Sequence, residues 1–401
     1  MRQPPVFPGD TLLFGALVLL IGSIVRIGAS IYLPAMPLIG EELRISPAQM
    51  SNTLTVYFVV FASFILIAGM LSDAYGRKPV LMTGMAFFIA GSALCATAEG
   101  YEALMAGRAI QAFGASMIPG TLMAMARDAC SDLRVVTLMG WLAVLGGLFL
   151  VAAPVIGGFL THAFGWSANF WFLALFTAVV FAATLLKIPE THAAGRRTPF
   201  HFGDTARRLG AMFASPRFSL VLGPVIAFFA IQGAFLAAAP YIVMERYGLG
   251  PVAFGLSNVV IVVGLFAGRW AGARLLKRAG GTGVYRVGAA ASAAVALLFS
   301  LLGIGVLSGL WLFLGIVGIF AGVFGATAPV GMKASITAFR SQSGIAAALQ
   351  GMLLMGASAL GSLAVGFAMK HLGLEAQSAF ALLSALLCLV AAAAAFVSEP
   401  A

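Results

Sequence analysis

Twelve long apolar runs, separated by short polar stretches, constrain this sequence more than any other feature. A helix needs about 20 mostly apolar residues to cross the hydrocarbon core of a bilayer. Charged residues make up 9% of the 401 residues, against about 25% in a soluble domain. We therefore predict an all-α membrane protein with twelve transmembrane helices. The predicted spans are residues 11–34, 50–71, 80–98, 102–125, 135–158, 169–187, 218–241, 252–273, 286–306, 309–331, 343–368 and 377–397.

The longest polar interval, residues 188–217, follows the sixth span. It divides the chain into an N-terminal half, residues 1–187, and a C-terminal half, residues 218–401. We interpret the interval as a cytoplasmic linker and expect one amphipathic helix in it.

The distribution of Lys and Arg predicts the orientation in the membrane. With the N-terminus inside, the outer loops hold only Arg44, Arg246 and Lys370, three cations lie within spans, and all the others lie in inside segments. Both termini are therefore expected in the cytoplasm. Membrane topology also accounts for the pI near 10, so the charge gives no support to nucleic acid binding.

Several function classes lack their sequence motifs. The three cysteines match no metal or redox spacing, and two of them lie in apolar runs, so a disulfide framework is not expected. No nucleotide-binding loop, zinc-protease motif or carboxylate pair at membrane depth occurs. We expect no enzyme activity, no ATP-driven pumping, no metal site and no cofactor. The first apolar run is interpreted as a retained span, not a signal peptide.

The loop between spans two and three reads "GMLSDAYGRKPV", residues 69–80. It resembles the signature loop of the major facilitator superfamily, G-x-L-x-D-x-x-G-R-[KR]-x, at the position where that family has it. "GRAIQAFGAS" in span four, "LVAAPVIGG" in span five and "IPET" after span six add to the resemblance. Together they are similar to the Bcr/CflA-type branch of twelve-span drug:proton antiporters.

This resemblance implies the major facilitator fold, with two six-helix bundles around a cavity open to one side at a time. It implies small-molecule transport by a monomer in a bacterial inner membrane. The predicted conformational or coupling residues are Asp73, Arg77, Arg108, Arg127, Pro154 and, from its position just past span seven, Glu245. Pro154 and Gly157 are expected to set a bend and a close helix crossing, while Asp73 is interpreted mainly as a conformational latch.

The sequence departs from the resembled family at the end of span one. Members usually have "DMYLP" there, with an acid suited to carrying a proton, but this chain has "SIYLP", with Ser30 in the acid's place. All the acids map to loops, termini or helix ends. If protons are coupled to transport, the carrier is therefore Asp73, Glu245 or a substrate group.

Arg26 lies near the middle of span one, where a charge costs about 2.5–3.5 kcal/mol on insertion scales. At about 3.6 residues per turn, Ser23, Arg26 and Ser30 fall on one side of the helix, which we expect to face a water-filled cavity. Arg26 is interpreted as an anchor for an anionic or strongly polar substrate. Hydrogen bonding to backbone carbonyls or to Asn and Gln side chains is the structural alternative.

Polar residues inside apolar spans are the other candidates for the cavity wall. Each could instead make a hydrogen bond between helices, and for Arg108, paired with Gln111 in one motif, structural bracing is at least as good an interpretation. With Arg26 and Ser30, the predicted substrate-binding residues are Asn52, Tyr57, Gln111, Gln232, Asn258 and Gln350.

Three functions follow from these observations. The first is efflux of small drugs or toxicants by secondary-active transport. The second is a carrier for an anionic metabolite, anchored by Arg26 and not necessarily coupled to protons. The third is a membrane sensor or scaffold that transports nothing.

Overall fold

The structure, a computed structural model, describes residues 11–193, 195, 197, 202–213, 215–337, 339 and 343–397. Every regular element in these ranges is helical. Arg2, Arg196 and Arg340 contributed to the predicted orientation but lie outside the described residues.

Two compact units divide the chain. The first contains α3 from Val56 onward and the neighbouring helices of the N-terminal half. A 3-10 turn, Leu33–Ala35, joins α1 to α2, and Met117 separates α5 from α6. The helices of this part of the chain are α1 (Leu12–Ser30), α2 (Met36–Leu43), α3 (Pro47–Tyr75), α4 (Arg77–Ala96), α5 (Tyr101–Ser116), α6 (Ile118–Ala129), α7 (Asp132–Phe164) and α8 (Ser167–Lys187).

The second unit contains the helices after the polar interval, together with Ile45–Thr55. Hydroxyl groups tie that early segment to α14: Thr55 donates to Ser362 Oγ at 3.1 Å, and Ser362 donates to the Ser51 carbonyl at 3.0 Å. The helices are α9 (Phe202–Phe213), α10 (Pro216–Pro240), a π-helix at Tyr241–Arg246, α11 (Pro251–Ser257), α12 (Val259–Gly303), α13 (Leu310–Thr337), α14 (Ser343–His371) and α15 (Ala376–Val397).

Eleven helical stretches within the described ranges are long and apolar enough to cross a membrane. One of them, Pro251–Gly303, has 53 residues. At 1.5 Å per residue, its helix α12 would measure about 68 Å, more than twice the thickness of the hydrocarbon core. Gly280 has a non-helical backbone with φ of 66° and divides α12 into two crossings. The predicted count of twelve transmembrane helices is thus confirmed.

The predicted linker contains α9, and the boundary between the units lies just before it. Met212 of α9 is buried in a cluster with Phe218 and Leu222 of α10, and Leu209 packs against that cluster. Arg207 and Gly210 are exposed. The helix is therefore amphipathic and lies with its apolar side on the second unit.

Glycines bring the backbones of α4 and α5 into contact. A Cβ added to Gly91 would lie 2.4 Å from the backbone nitrogen of Gln111, and one on Gly114 would lie 2.4 Å from the carbonyl oxygen of Gly84. Real Cβ atoms do not approach other atoms so closely. Glycine at these positions allows the close crossing, which brings polar side chains of the two helices together inside the first unit.

Candidate functional site

Arg108 is fully buried in the first unit, with 0% of its surface exposed. Its guanidinium carbon lies 4.4 Å from the ring centroid of Tyr32 and 4.3 Å from that of Tyr57. Both distances lie within the range of cation–π attraction, which is stronger in a site without water. Two aromatic rings thus contact the cation.

Hydrogen bonds also hold the guanidinium in place. Nη1 of Arg108 donates to the carbonyl oxygen of Gly28 at 3.3 Å and to Oε1 of Gln111. Nε2 of Gln111 donates to Ser92 Oγ at 2.8 Å, and Ser92 in turn donates to the Phe88 carbonyl at 2.7 Å. A polar chain therefore runs from α1 through α5 to α4. We call Tyr32, Tyr57, Ser92, Arg108 and Gln111 the Arg108 cluster.

Three polar atoms of the Arg108 cluster have no hydrogen-bond partner among the described residues. Within the described part of the chain, Nε and Nη2 of Arg108 and the hydroxyl of Tyr57 are buried without a hydrogen-bond partner. Buried polar groups without partners are rare and costly, at about 1–3 kcal/mol each and more when charged. The cluster can therefore accept a further hydrogen-bonding group.

Three predicted site residues, Tyr57, Arg108 and Gln111, meet in this cluster. Two of its members, Tyr32 and Ser92, were not among the predicted residues. Tyr32 belongs to the "SIYLP" stretch, and Ser92 lies next to Gly91, which packs on Gln111. The sequence signal that could have indicated this contact is the spacing of glycines, seven residues apart in α4 and seven residues apart in α5.

Arg26 is exposed on α1. A Cβ on Gly146 of α7 would lie 2.7 Å from Cζ of Arg26, so the guanidinium rests on the surface of α7 where glycine leaves room for it. The arginine thus lies outside the core of the first unit, at the edge of the α1–α7 contact.

Ser23 and Ser30, which lie on the same side of α1 as Arg26, differ from it in burial. Both serines are buried while Arg26 is exposed. Ser23 Oγ donates to the Leu20 carbonyl at 2.6 Å, and Ser30 Oγ donates to the Arg26 carbonyl at 3.2 Å. Serine hydroxyls in apolar helices can hydrogen-bond to the backbone of their own helix. Ser23 and Ser30 can therefore be buried while Arg26, on the same side of α1, is exposed.

The remaining predicted substrate residues lie on separate helices of the second unit. Asn52 of α3 and Gln232 of α10 are half-buried. Asn258, which lies between α11 and α12, is buried, and its Nδ2 donates to the Phe254 carbonyl of α11 at 2.9 Å. Gln350 of α14 is buried, and its Nε2 has no partner in the described ranges.

A second polar site surrounds Arg77 at the start of α4. Nε of Arg77 donates to Oδ2 of Asp128 at 3.0 Å, and Nη1 donates to Ser72 Oγ at 3.0 Å and to Oδ1 of Asp73. His192 Nδ1 lies 3.6 Å from the same oxygen of Asp128. Arg77 therefore pairs with both Asp73 and Asp128.

Glu190, from the "IPET" stretch, caps α4. Its carboxylate accepts hydrogen bonds from the backbone nitrogens of Arg77 at 3.0 Å and Lys78 at 3.2 Å. An anion at a helix N-terminus satisfies free N–H groups and the helix dipole. Gly76 has φ of 108°, and a Cβ there would lie 2.4 Å from Oε2 of Glu190, so glycine is required for both reasons.

Two residues of this second site were missed by the sequence reasoning, which selected Arg127 and overlooked Asp128 and Glu190. Arg127 is exposed, while Asp128 binds Arg77. Glu190 stands in the "IPET" stretch and Asp128 follows Arg127 directly, but spacing within one helix cannot show which helix a neighbouring side chain meets.

The other predicted coupling residues lie in α7 and at the end of α10. Pro154 is buried, and α7 continues through it without a break. A Cβ on Gly157 would lie 1.7 Å from the carbonyl oxygen of Ile31, so the expected close crossing with the end of α1 is present. Glu245 is exposed in the π-helix that follows α10.

Among the described residues, no group of three or more His, Cys, Asp or Glu side chains could hold a metal ion.

Comparison with known proteins decides the family. The family model of the Major Facilitator Superfamily matches residues 18–306. The chain belongs to the Major Facilitator Superfamily. It is a multi-pass membrane protein from a superfamily of transporters, not of enzymes. Solved structures of this superfamily share its fold: the human organic anion transporter MFSD10 has a TM-score of 0.67 at 19% identity, with 96% of this chain and 100% of that chain covered. A D-xylose–proton symporter has a TM-score of 0.73 at 13% identity, with 97% and 98% covered.

Sequence relatives in the superfamily match over a shorter length. This chain is 34% identical over 167 residues to the multidrug resistance protein MdtL of Escherichia coli strain K12 / DH10B. The aligned region covers 42% of this chain and 43% of MdtL. MdtL of Shigella flexneri serotype 5b is matched to the same extent. The similarity thus spans less than half the length of these relatives.

Proposed function

We propose that this Major Facilitator protein exports small molecules, including drugs or toxicants, by secondary-active transport with alternating access. The observation that carries the proposal is the 34% identity to multidrug resistance proteins over 167 residues. The "APVIGG" stretch of α7, which resembles an antiporter signature, supports the same direction of transport.

The Arg108 cluster adds a physical reason. Aromatic side chains give broad apolar contact, and a few unsatisfied polar groups fix orientation, which is the usual composition of a small-molecule site. Tyr32 and Tyr57 supply the aromatic contact, and Arg108 and the Tyr57 hydroxyl supply the unsatisfied polar groups, within one unit.

The setting of the transporter is part of the proposal. We place it as a monomer in a bacterial inner membrane with both termini in the cytoplasm, as the Lys and Arg distribution and the MdtL relatives favour. Antiport with protons requires a carrier, and Asp73 and Glu245 are the candidates. Glu245 is exposed just past α10, and Glu245→Gln is the first variant to test.

Accumulation of a fluorescent dye such as ethidium tests the proposal. Cells that lack their major efflux pumps and express this protein should accumulate less dye than cells with an empty vector, and a protonophore should abolish the difference. The same assay across a panel of apolar cations, acids and neutral compounds defines the range. Unchanged accumulation of every compound, with the protein shown to be in the membrane, would overturn the proposal.

A second candidate is a carrier for an anionic metabolite with Arg26 as the anchor. The exposed guanidinium on the apolar helix α1 favours it. Both Arg26→Ala and Arg26→Lys should then abolish uptake of organic anions into liposomes, since an ammonium does not replace the planar guanidinium. Full transport by Arg26→Ala would remove this candidate.

A further inference from the structure

We infer that the Arg108 cluster binds the carboxylate of a small organic acid, and that acids of this kind are among the exported substrates. The second part of this inference rests on the proposed function. The first part is a statement about binding, and it can be tested on purified protein whatever the direction of transport.

The first step concerns charge. Arg108 is completely buried, and its hydrogen bonds go to two neutral groups, the Gly28 carbonyl and the Gln111 side chain. No ion pair joins it to an acid of the described residues. A buried ion without a counterion is strongly unfavourable. The two tyrosine faces offset part of that cost but carry no negative charge, so an anion would be stabilised here.

The second step concerns geometry. The hydrogen-bonded nitrogen is Nη1, which leaves Nε and Nη2 together as one edge of the guanidinium. Two parallel N–H groups on such an edge match the two oxygens of a carboxylate. Because the N–H groups of this edge have no partner in the described ranges, it is the part of the guanidinium that can bind a ligand.

The third step concerns the rest of the ligand. The Tyr57 hydroxyl is buried and without a partner in the described ranges, so it can donate to an acceptor near the carboxylate. Tyr57 also stacks with Phe61 at 6.4 Å between ring centroids and lies edge-on to Phe58 at 5.9 Å. The surroundings of Tyr57 therefore suit an aromatic acid better than a small hydrophilic one.

The site is closed in this arrangement, because Arg108 has no exposed surface and Tyr57 has 1%. A ligand reaches the free edge only when one of the covering rings moves. Tyr57 lies near the start of that part of α3 which belongs to the first unit, so displacement of this helix would uncover the cation.

Binding of benzoate to the purified, detergent-solubilised protein tests the inference. Benzamide and benzamidine are the matched neutral and cationic probes, since they keep the ring and change only the charged group. We expect benzoate to raise Tm in a concentration-dependent way and to give a measurable Kd by calorimetry. Benzamide and benzamidine should bind at least tenfold more weakly.

Variants locate the site. Arg108→Lys keeps the charge but removes the two-nitrogen edge, and we expect its benzoate affinity to fall about tenfold to hundredfold. Tyr57→Phe, which removes only the hydroxyl and is the least disruptive change, should lower affinity about threefold to tenfold. Arg269→Gln, at an exposed position of α12, is the matched control and should bind like the wild type.

Three results would overturn the inference. They are the absence of benzoate binding to the wild type, unchanged affinity in both Arg108→Lys and Tyr57→Phe, and an equal Arg108-dependent stabilisation by chloride alone, which would indicate a site for inorganic anions. Failure of the dye-efflux assay with intact benzoate binding would remove the proposed function and leave the carboxylate site standing.

Discussion

Replacing Gly157 of α7 by alanine should strongly destabilise the first unit. A Cβ there would lie 1.7 Å from the carbonyl oxygen of Ile31, whereas ordinary contact begins at 3.4 Å. The obstructing atom belongs to the backbone, so it cannot rotate away as a side chain could. Relief requires α1 and α7 to separate by roughly 1.5 Å over a tightly packed contact.

The magnitude follows from two opposing effects. Overpacking of this kind costs about 1–3 kcal/mol, and more when backbone must move. Alanine recovers up to about 1 kcal/mol over glycine through its helix propensity. Gly140 lies in the same helix, and a Cβ there would meet nothing within 4 Å, so Gly140→Ala should gain that propensity without the clash. We expect the two variants to differ by about 2–3 kcal/mol or more.

Thermal unfolding of both variants in the same detergent measures this difference. At about 2–4 °C per kcal/mol for a unit of this size, Gly157→Ala should have a Tm roughly 5–10 °C below that of Gly140→Ala. Retained or raised Tm in Gly157→Ala, close to that of Gly140→Ala, would show that the α1–α7 crossing does not require glycine.

Two further predictions concern charged groups outside the Arg108 cluster. Glu190→Gln should lower stability by about 1–2 kcal/mol because α4 loses its anionic cap. The control Glu99→Gln, in an exposed loop, should change stability by less than about 0.5 kcal/mol. Equal Tm shifts in the two variants would contradict the capping role of Glu190. Glu375→Gln removes the exposed pair with Arg246 and should cost less than about 1 kcal/mol, measured as Tm at low and high salt. A larger loss would show that the pair is part of a wider polar network.

Most of the fold could be predicted from the sequence because the bilayer imposes one strong rule. Apolar runs of spanning length must be helices, since no water is present to bond an exposed backbone. Helix ends were harder to predict. Span four is two helices that meet at Met117, just before Pro119, and spans eight and nine belong to one long helical stretch interrupted at Gly280. Local backbone conformation decides these points, and hydropathy does not report it.

The site was predicted less completely because its contacts join distant parts of the chain. The motif in α5 indicated Arg108 and Gln111, which are close in sequence, and Tyr57 was chosen only as a polar group in a span. Tyr32 was overlooked, although its ring contacts the Arg108 guanidinium. Aromatic residues are common in apolar spans, so composition alone does not separate one that covers a cation from one that packs against a neighbour.

The two arginines within the N-terminal spans show why position in a span is a poor guide to environment. Arg26 drew attention because its charge lies near the middle of a helix, and it lies exposed on the glycine surface of α7. Arg108 was assigned a bracing role as the alternative, yet it is the fully buried cation with unsatisfied donors. The energetic cost of a charge depends on its neighbours more than on its depth, and the neighbours of Arg108 come from α1, α3 and α5. Binding measured in Arg108 and Arg26 variants side by side therefore separates the two anchors: an organic acid held by Arg108 should lose affinity in Arg108→Lys while Arg26→Lys leaves it unchanged.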